Sequence, residues 1–273
     1  MNNFKQRVLT GIGLIIVILL LTNLGMYSFV AMIAIINLMA LTEFYRLVAV
    51  SKAARIMGLI LGTSLILTVT YVINDLLQWR LLLVYVPFTF TIFFKELYAH
   101  HTRPFENLAY IFMGVIYITL PFCFFIGLAF LPIREAYNAS LITGCFLIIW
   151  AGDTGAYLAG KLLGKNLVFK RISPKKTWEG CIGGVLSAII TAAILSKTFL
   201  ILSTQNWIIL SGIISVTGIY GDFFKSMLKR SQHIKDTGNI LPGHGGILDR
   251  FDSLLGSAGF AFCYLLLYGQ FKN

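Results

Sequence analysis

The chain has 273 residues, of which 58% are hydrophobic and 12% charged, against about 25% charged in a soluble domain. Apolar runs long enough to cross a hydrocarbon core of roughly 30 Å recur along it, as at Val8–Leu21, Met57–Ile73 and Phe199–Ile219, and no polar stretch is long enough for a separate soluble domain. This excludes a soluble enzyme, and the net charge of +11 finds no soluble face with interleaved aromatics on which to hold nucleic acid.

Hydropathy predicts an all-α, polytopic membrane protein of about nine spanning helices, at 8–22, 28–43, 57–73, 81–95, 107–131, 138–160, 180–202, 206–229 and 252–270. The first begins basic and continues apolar like a secretory signal. It lacks a small-residue cleavage site and more apolar segments follow at once, so it reads as a spanning helix. Of the 22 lysines and arginines, all but Arg80, Arg134, Lys197 and Lys272 fall on one side of this arrangement. The positive-inside rule then places the N-terminus in the cytoplasm and the C-terminus outside.

Residues 1–135 read as a transmembrane scaffold. Glu43 with Arg46, and Lys95 with Glu96, fall at helix ends and read as solvated interface charges; His100 and His101 read as loop surface. Pro121 predicts a kink in the fifth helix. Cys123, Cys145, Cys181 and Cys263 each stand alone in apolar segments, without metal-ligand or redox spacing.

Residues 136–273 change texture and read as the catalytic region of the same membrane unit. An ionisable residue at membrane depth costs several kcal/mol unless compensated, which makes it a functional candidate. In Trp150-Ala151-Gly152-Asp153-Thr154-Gly155-Ala156-Tyr157 the small residues suit close helix packing, but packing gives no reason for Asp153. The loop Lys170-Arg171-Ile172-Ser173-Pro174-Lys175-Lys176-Thr177-Trp178-Glu179-Gly180 follows. Anionic headgroups alone would attract its four cations, but its Ser-Pro turn and closing Thr-Trp-Glu suggest a fixed conformation.

The next stretch runs from Gly221 to Arg230. At 100° per residue Asp222, Lys225, Ser226 and Lys229 share a face, with Arg230 at its border, and Phe223, Phe224, Met227 and Leu228 cover the other side. One carboxylate, a hydroxyl and several cations suit a metal-bound polyphosphate. A snorkelling helix end would explain the cations but not Asp222. Last come Lys235-Asp236-Thr237-Gly238 and Leu241-Pro242-Gly243-His244-Gly245-Gly246-Ile247-Leu248-Asp249-Arg250-Phe251-Asp252. Its glycines allow backbone N–H groups to approach anionic oxygens. Asp249 and Asp252 share a face on a helix; Asp252 reads equally well as a cap ahead of Ser253. For Asp222 with Asp249, shared ligation of Mg²⁺ is the preferred reading.

Ser226-Met227-Leu228-Lys229-Arg230, the Lys-Asp-Thr-Gly and Pro-Gly-His-Gly-Gly runs and Asp249-Arg250-Phe251-Asp252 closely resemble the signature of bacterial phosphatidate cytidylyltransferases. Ser173–Gly180 and Gly152–Tyr157 resemble that family too. The likeness is dense over residues 150–256 and rests on hydropathy and length before that. It implies transfer of CMP from CTP to phosphatidate with Mg²⁺, giving CDP-diacylglycerol for phospholipid synthesis, in a bacterial inner membrane and from its cytoplasmic face. Carried over, Asp222 and Asp249 are the metal carboxylates, and Ser226, Lys229 and Arg230 hold phosphates. Asp153 and Asp252 line the same cytoplasm-facing polar cavity, and Lys175 and Lys176 approach headgroup or nucleotide. Gly245, Gly246 and Arg250 join the substrate-binding residues, and His244 orients phosphate or shapes the loop instead of acting as an obligatory base. Two carboxylates leave room for a second cation, a monovalent one included. The partners implied are CTP, phosphatidate and membrane lipids, with room for a homodimer. Two other readings remain. A CTP-dependent isoprenoid-alcohol kinase would combine the same parts, and an ion-coupled transporter would use Asp153 and Asp222 as ion sites but predicts matching broken helices in both halves.

Overall fold

A computed structural model describes residues 3–74, 76–131, 137–234, 237–238, 245–269 and 271. Its helices are α1 (Asn3–Leu24), α2 (Met26–Leu47), α3 (Lys52–Ile73), α4 (Trp79–Tyr98, opening with a 3₁₀ turn), α5 (Pro104–Leu128), α6 (Ala139–Leu163), α7 (Trp178–Thr198), α8 (Thr204–Ser231) and α9 (Leu248–Tyr268). Among the described residues, α2 to α9 are each long and apolar enough to cross a membrane, and α1 carries the shorter apolar run Thr10–Leu24. This is an all-α polytopic membrane protein with one addition that periodicity did not predict. The basic loop after α6 folds as an antiparallel hairpin, β1 (Leu167–Phe169) and β2 (Ser173–Thr177).

The chain forms two compact units, residues 1–127 with 236–249 and residues 128–235 with 250–273. In the first, α2, α3 and α5 meet around Tyr45. Its ring is buried and its hydroxyl donates to the Ile111 carbonyl at 2.9 Å. Gly58 and Gly114 lie against it, and a Cβ at either would come within 2.6 Å of the hydroxyl oxygen. Without a hydrophobic force between helices in lipid, such close packing and interhelical hydrogen bonds supply the cohesion. The irregularity predicted at Pro121 takes the form of a π-helical turn over Val115–Thr119, which absorbs a register change just before the residue that cannot donate a helix bond.

In the second unit α6 and α7 pack through small residues on both faces. A Cβ on Gly184 would sit 2.9 Å from the Gly152 carbonyl oxygen, and one on Gly155 2.9 Å from that of Gly183. Helices α8 and α9 approach as closely, with a Cβ on Gly221 falling 2.8 Å from Gly256 Cα. The hairpin is tied to the start of α7. Thr177 accepts from the Gly180 N–H at 3.2 Å, and the Glu179 carboxylate accepts from Lys165 N–H at 3.1 Å and from the Asn166 amide side chain at 2.7 Å.

Candidate functional site

Asp222 follows Gly221, whose missing side chain lets α8 lie against α9. Three residues further, on the same face, Lys225 is only 6% exposed. Its Nζ lies 2.8 Å from Asp222 Oδ1 and also pairs with Asp252 Oδ2. The other Asp222 oxygen pairs with Lys176 Nζ. Asp252 Oδ1 accepts from the Ser253 N–H at 2.9 Å, and the Ser253 hydroxyl lies 3.4 Å from Asp153 Oδ1. Three carboxylates from three spanning helices and two ammonium groups, one buried and one half-buried, thus form a chain of contacts. Charges removed from water persist only when paired and hydrogen-bonded, and each lysine here meets that condition through Asp222.

Lys176 is held on a second side. Its Nζ lies 4.8 Å from the centroid of the Phe223 ring, an attractive cation–π placement. Phe169 meets Phe223 edge to face, at 5.0 Å between centroids. The hairpin therefore seats on α8 through Phe169 and delivers Lys176 to Asp222. Lys175, its neighbour in the strand, is exposed, as the alternation of side chains along a strand leads one to expect. Ser226 and Lys229 are half-buried and Arg230 is exposed, towards the end of α8.

The first unit holds a separate constellation. Asp249 Oδ2 accepts from the backbone N–H of Thr237 at 3.1 Å and from its hydroxyl at 3.0 Å. That hydroxyl also lies 3.4 Å from Glu43 Oε2. Glu43 accepts from the N–H groups of Ile247 and Leu248, both at 2.9 Å. Gly245 takes φ +82, a left-handed conformation glycine adopts without strain. Gly246 has no room for a side chain, since a Cβ would fall 2.6 Å from Glu43 Oε2. Arg250 is exposed. His244 lies outside the described residues.

Three expectations are corrected. Glu43 is no solvated interface charge; it is 3% exposed and caps the start of α9. Glu96 is buried too, and accepts from the Asn107 amide at 2.8 Å with His101 Nδ1 at the same distance, so His101 is half-buried in a polar cluster. Asp252 is not a cap, because α9 begins at Leu248 and not at 252, and its carboxylate is spent on Lys225 and Ser253 instead. Two residues escaped the candidate set. Lys225 counts in the sequence as one of the cations beside Asp222 but not as a site residue of its own, and Glu43, between Thr42 and Phe44 near Arg46, reads as an interface charge.

Carboxylates and ammonium groups carried on spanning helices and paired with one another mark an integral membrane protein with a polar cluster at membrane depth, a functional candidate by its cost alone. The chain belongs to the cytidylyltransferase family, whose sequence profile matches residues 5–268. It is 34% identical over 276 residues to a phosphatidate cytidylyltransferase of Bacillus subtilis (strain 168), covering 98% of this chain and 100% of the relative. Over 260 residues it is 35% identical to the Staphylococcus aureus (strain COL) protein of that name, and over 259 residues 30% identical to that of Staphylococcus haemolyticus (strain JCSC1435). Each alignment covers 92% of this chain and 95% of the relative.

Proposed function

We propose that this protein is a nucleotidyltransferase that joins CTP to phosphatidate, releasing pyrophosphate and leaving CDP-diacylglycerol in the membrane. The observation that carries this reading is full-length similarity to relatives of that name, and the Asp222–Lys225–Asp252 cluster with Lys176 fits the chemistry. A phosphate oxygen of phosphatidate attacks the α-phosphorus of CTP, the bond from that phosphorus to the bridging oxygen of pyrophosphate breaks, and pyrophosphate leaves with the electron pair. The attacking oxygen is already anionic, so no strong base is needed. The barrier lies in bringing two polyanions together in line, which positioned cations lower. Lys176 and Lys175 on the hairpin, and Ser226, Lys229 and Arg230 on α8, are the proposed phosphate ligands. Gly245, Gly246, His244 and Arg250 are the proposed loop ligands, with Asp153 and Asp252 lining the polar site.

The donor set suits magnesium. Asp222 already holds two ammonium groups on its hard carboxylate oxygens, Asp249 offers a carboxylate that accepts from Thr237, and Mg²⁺ is bound by one or two carboxylates plus phosphate oxygens and water. Asp222 and Asp249 are proposed as its carboxylates, a second cation being compatible with the same chemistry; bound, the ion neutralises developing charge on the phosphates. Asp222→Asn and Asp249→Asn are each expected to abolish most turnover in a folded, membrane-inserted protein, with partial recovery at raised Mg²⁺. Unchanged Mg²⁺ dependence in either would remove that carboxylate from the metal.

Purified protein in detergent should release pyrophosphate only when CTP, phosphatidate and Mg²⁺ are all present. A kinase would instead form a phosphorylated isoprenoid alcohol and no CDP-lipid. On this reading the site faces the cytoplasm from a bacterial inner membrane, within reach of soluble CTP.

A further inference from the structure

Glu43 stands 204 positions before Ile247 in the chain, yet it holds the segment that carries Asp249. Its described partners are all neutral donors: two backbone N–H groups and the Thr237 hydroxyl. The N–H groups at a helix start have no partner within the helix and favour a negative charge. A carboxylate 3% exposed needs such donors to persist. Contact is close on every side, since a Cβ on Gly238 would fall 2.7 Å from Glu43 Oε1 and one on Gly246 2.6 Å from Oε2. Thr237 completes the link, giving both its N–H and its hydroxyl to Asp249 Oδ2. One hydroxyl proton thus lies between two carboxylates, and moving Glu43 shifts the balance of the hydrogen bond on Asp249.

We propose that Glu43 is a positioning residue for cytidylyl transfer, fixing Gly246–Leu248 directly and the Asp249 carboxylate through Thr237. The inference rests on the reading that Asp249 serves the reaction. Glu43 touches no reacting atom. It sets the backbone conformation at Gly245–Leu248 and the direction of one carboxylate. Interactions of this kind, one shell removed from a ligand, change affinity or activity by about 10–100-fold when broken.

Full-length protein in detergent tests this with Glu43→Gln, which keeps size but turns one acceptor into a donor, and with Thr237→Val and Thr237→Ser. Three quantities are measured: kcat and KM for CTP and phosphatidate, amide hydrogen exchange over residues 245–249, and the thermal midpoint. Glu43→Gln should lower kcat by about 10–100-fold, leave KM for phosphatidate near the parental value and speed exchange at Ile247 and Leu248, while the thermal midpoint moves little. Thr237→Val should reproduce the loss of kcat and Thr237→Ser restore it; this pair decides the matter if Glu43→Gln does not fold. Parental kcat in Glu43→Gln, or equal losses in the Ser and Val variants, would overturn the proposal. So would a lowered thermal midpoint with kcat unchanged, which marks a purely structural cap. Failure of the parent itself to form CDP-lipid would instead overturn the proposed reaction, while faster exchange in Glu43→Gln would still establish the hold on the segment.

Discussion

Lys225 carries its ammonium group between two carboxylates inside a spanning helix, 2.8 Å from Asp222 Oδ1 and paired with Asp252. Removing it would leave two anions facing one another where water is scarce, and breaking a buried pair from one side costs about 3–5 kcal/mol. Lys225→Met should therefore lower the thermal midpoint in detergent and abolish turnover; a parental midpoint would show that the pair is solvated. The two hairpin lysines separate a direct role from attraction to the lipid surface. Lys176 is fixed by Asp222 and by the Phe223 ring, whereas Lys175 is exposed. Lys176→Gln should cost about tenfold or more in turnover, as for a lost charge-assisted hydrogen bond. Lys175→Gln should cost less, and full recovery at raised anionic lipid would give it to the lipid surface instead of the substrate phosphates. Equal losses would contradict this division of labour. Asp153 and Asp222 were legible because a carboxylate in an apolar segment has no bland explanation, whereas Asp252 read equally well as a helix cap until the helix start at Leu248 was known. Glu43 was not, because its place at a helix end beside Arg46 mimics an interface charge. What buries it is a segment some 200 positions away in sequence.

The elements explain why these side chains meet. Gly152, Gly155, Gly183 and Gly184 bring α6 to α7 with backbone atoms nearly in contact, while Asp153 on α6 meets Ser253 of α9. A Cβ on Gly184 meets the Gly152 carbonyl at 2.9 Å, whereas one on Gly212 in α8 meets nothing within 4 Å. Gly184→Ala should thus destabilise the protein by about 1–3 kcal/mol, the usual cost of overpacking. Gly212→Ala should be neutral or stabilising, since alanine is the better helix former by about 1 kcal/mol. Thermal unfolding of the two variants checks the contrast, and a comparable loss in both would show that the close approach at Gly184 does not set its cost. The small-residue faces could be read from spacing alone. The hairpin could not: two strands of three and five residues have too little alternation to register against a run of lysines. The start of α9 was misplaced by four residues because its capping carboxylate comes from α2, beyond the reach of any local pattern.

At the scale of the whole molecule, the charge distribution predicts how the chain threads the membrane. Among the described residues eight helices are long and apolar enough to cross, with a shorter apolar segment at the N-terminus; if each long helix crosses, the α3–α4 and α6–α7 connections should fall on opposite faces. The α6–α7 connection carries Lys165, Lys170, Arg171, Lys175 and Lys176, whereas Gln78 and Arg80 mark the sparsely charged α3–α4 side. Lys and Arg are retained in the cytoplasm during insertion. The hairpin, its lysines and the CTP that they are proposed to meet should accordingly be cytoplasmic, with α3–α4 outside. Gln78 and Arg171 are both exposed, so each can carry a single cysteine in a chain from which Cys123, Cys145, Cys181 and Cys263 have been removed. In intact spheroplasts a membrane-impermeant maleimide should label Gln78→Cys and spare Arg171→Cys, and inverted vesicles should reverse the pattern. Labelling of both from one side would break the alternation of helices. Reversed labelling would place the hairpin outside, away from the nucleotide pool, and with it remove the proposed source of CTP.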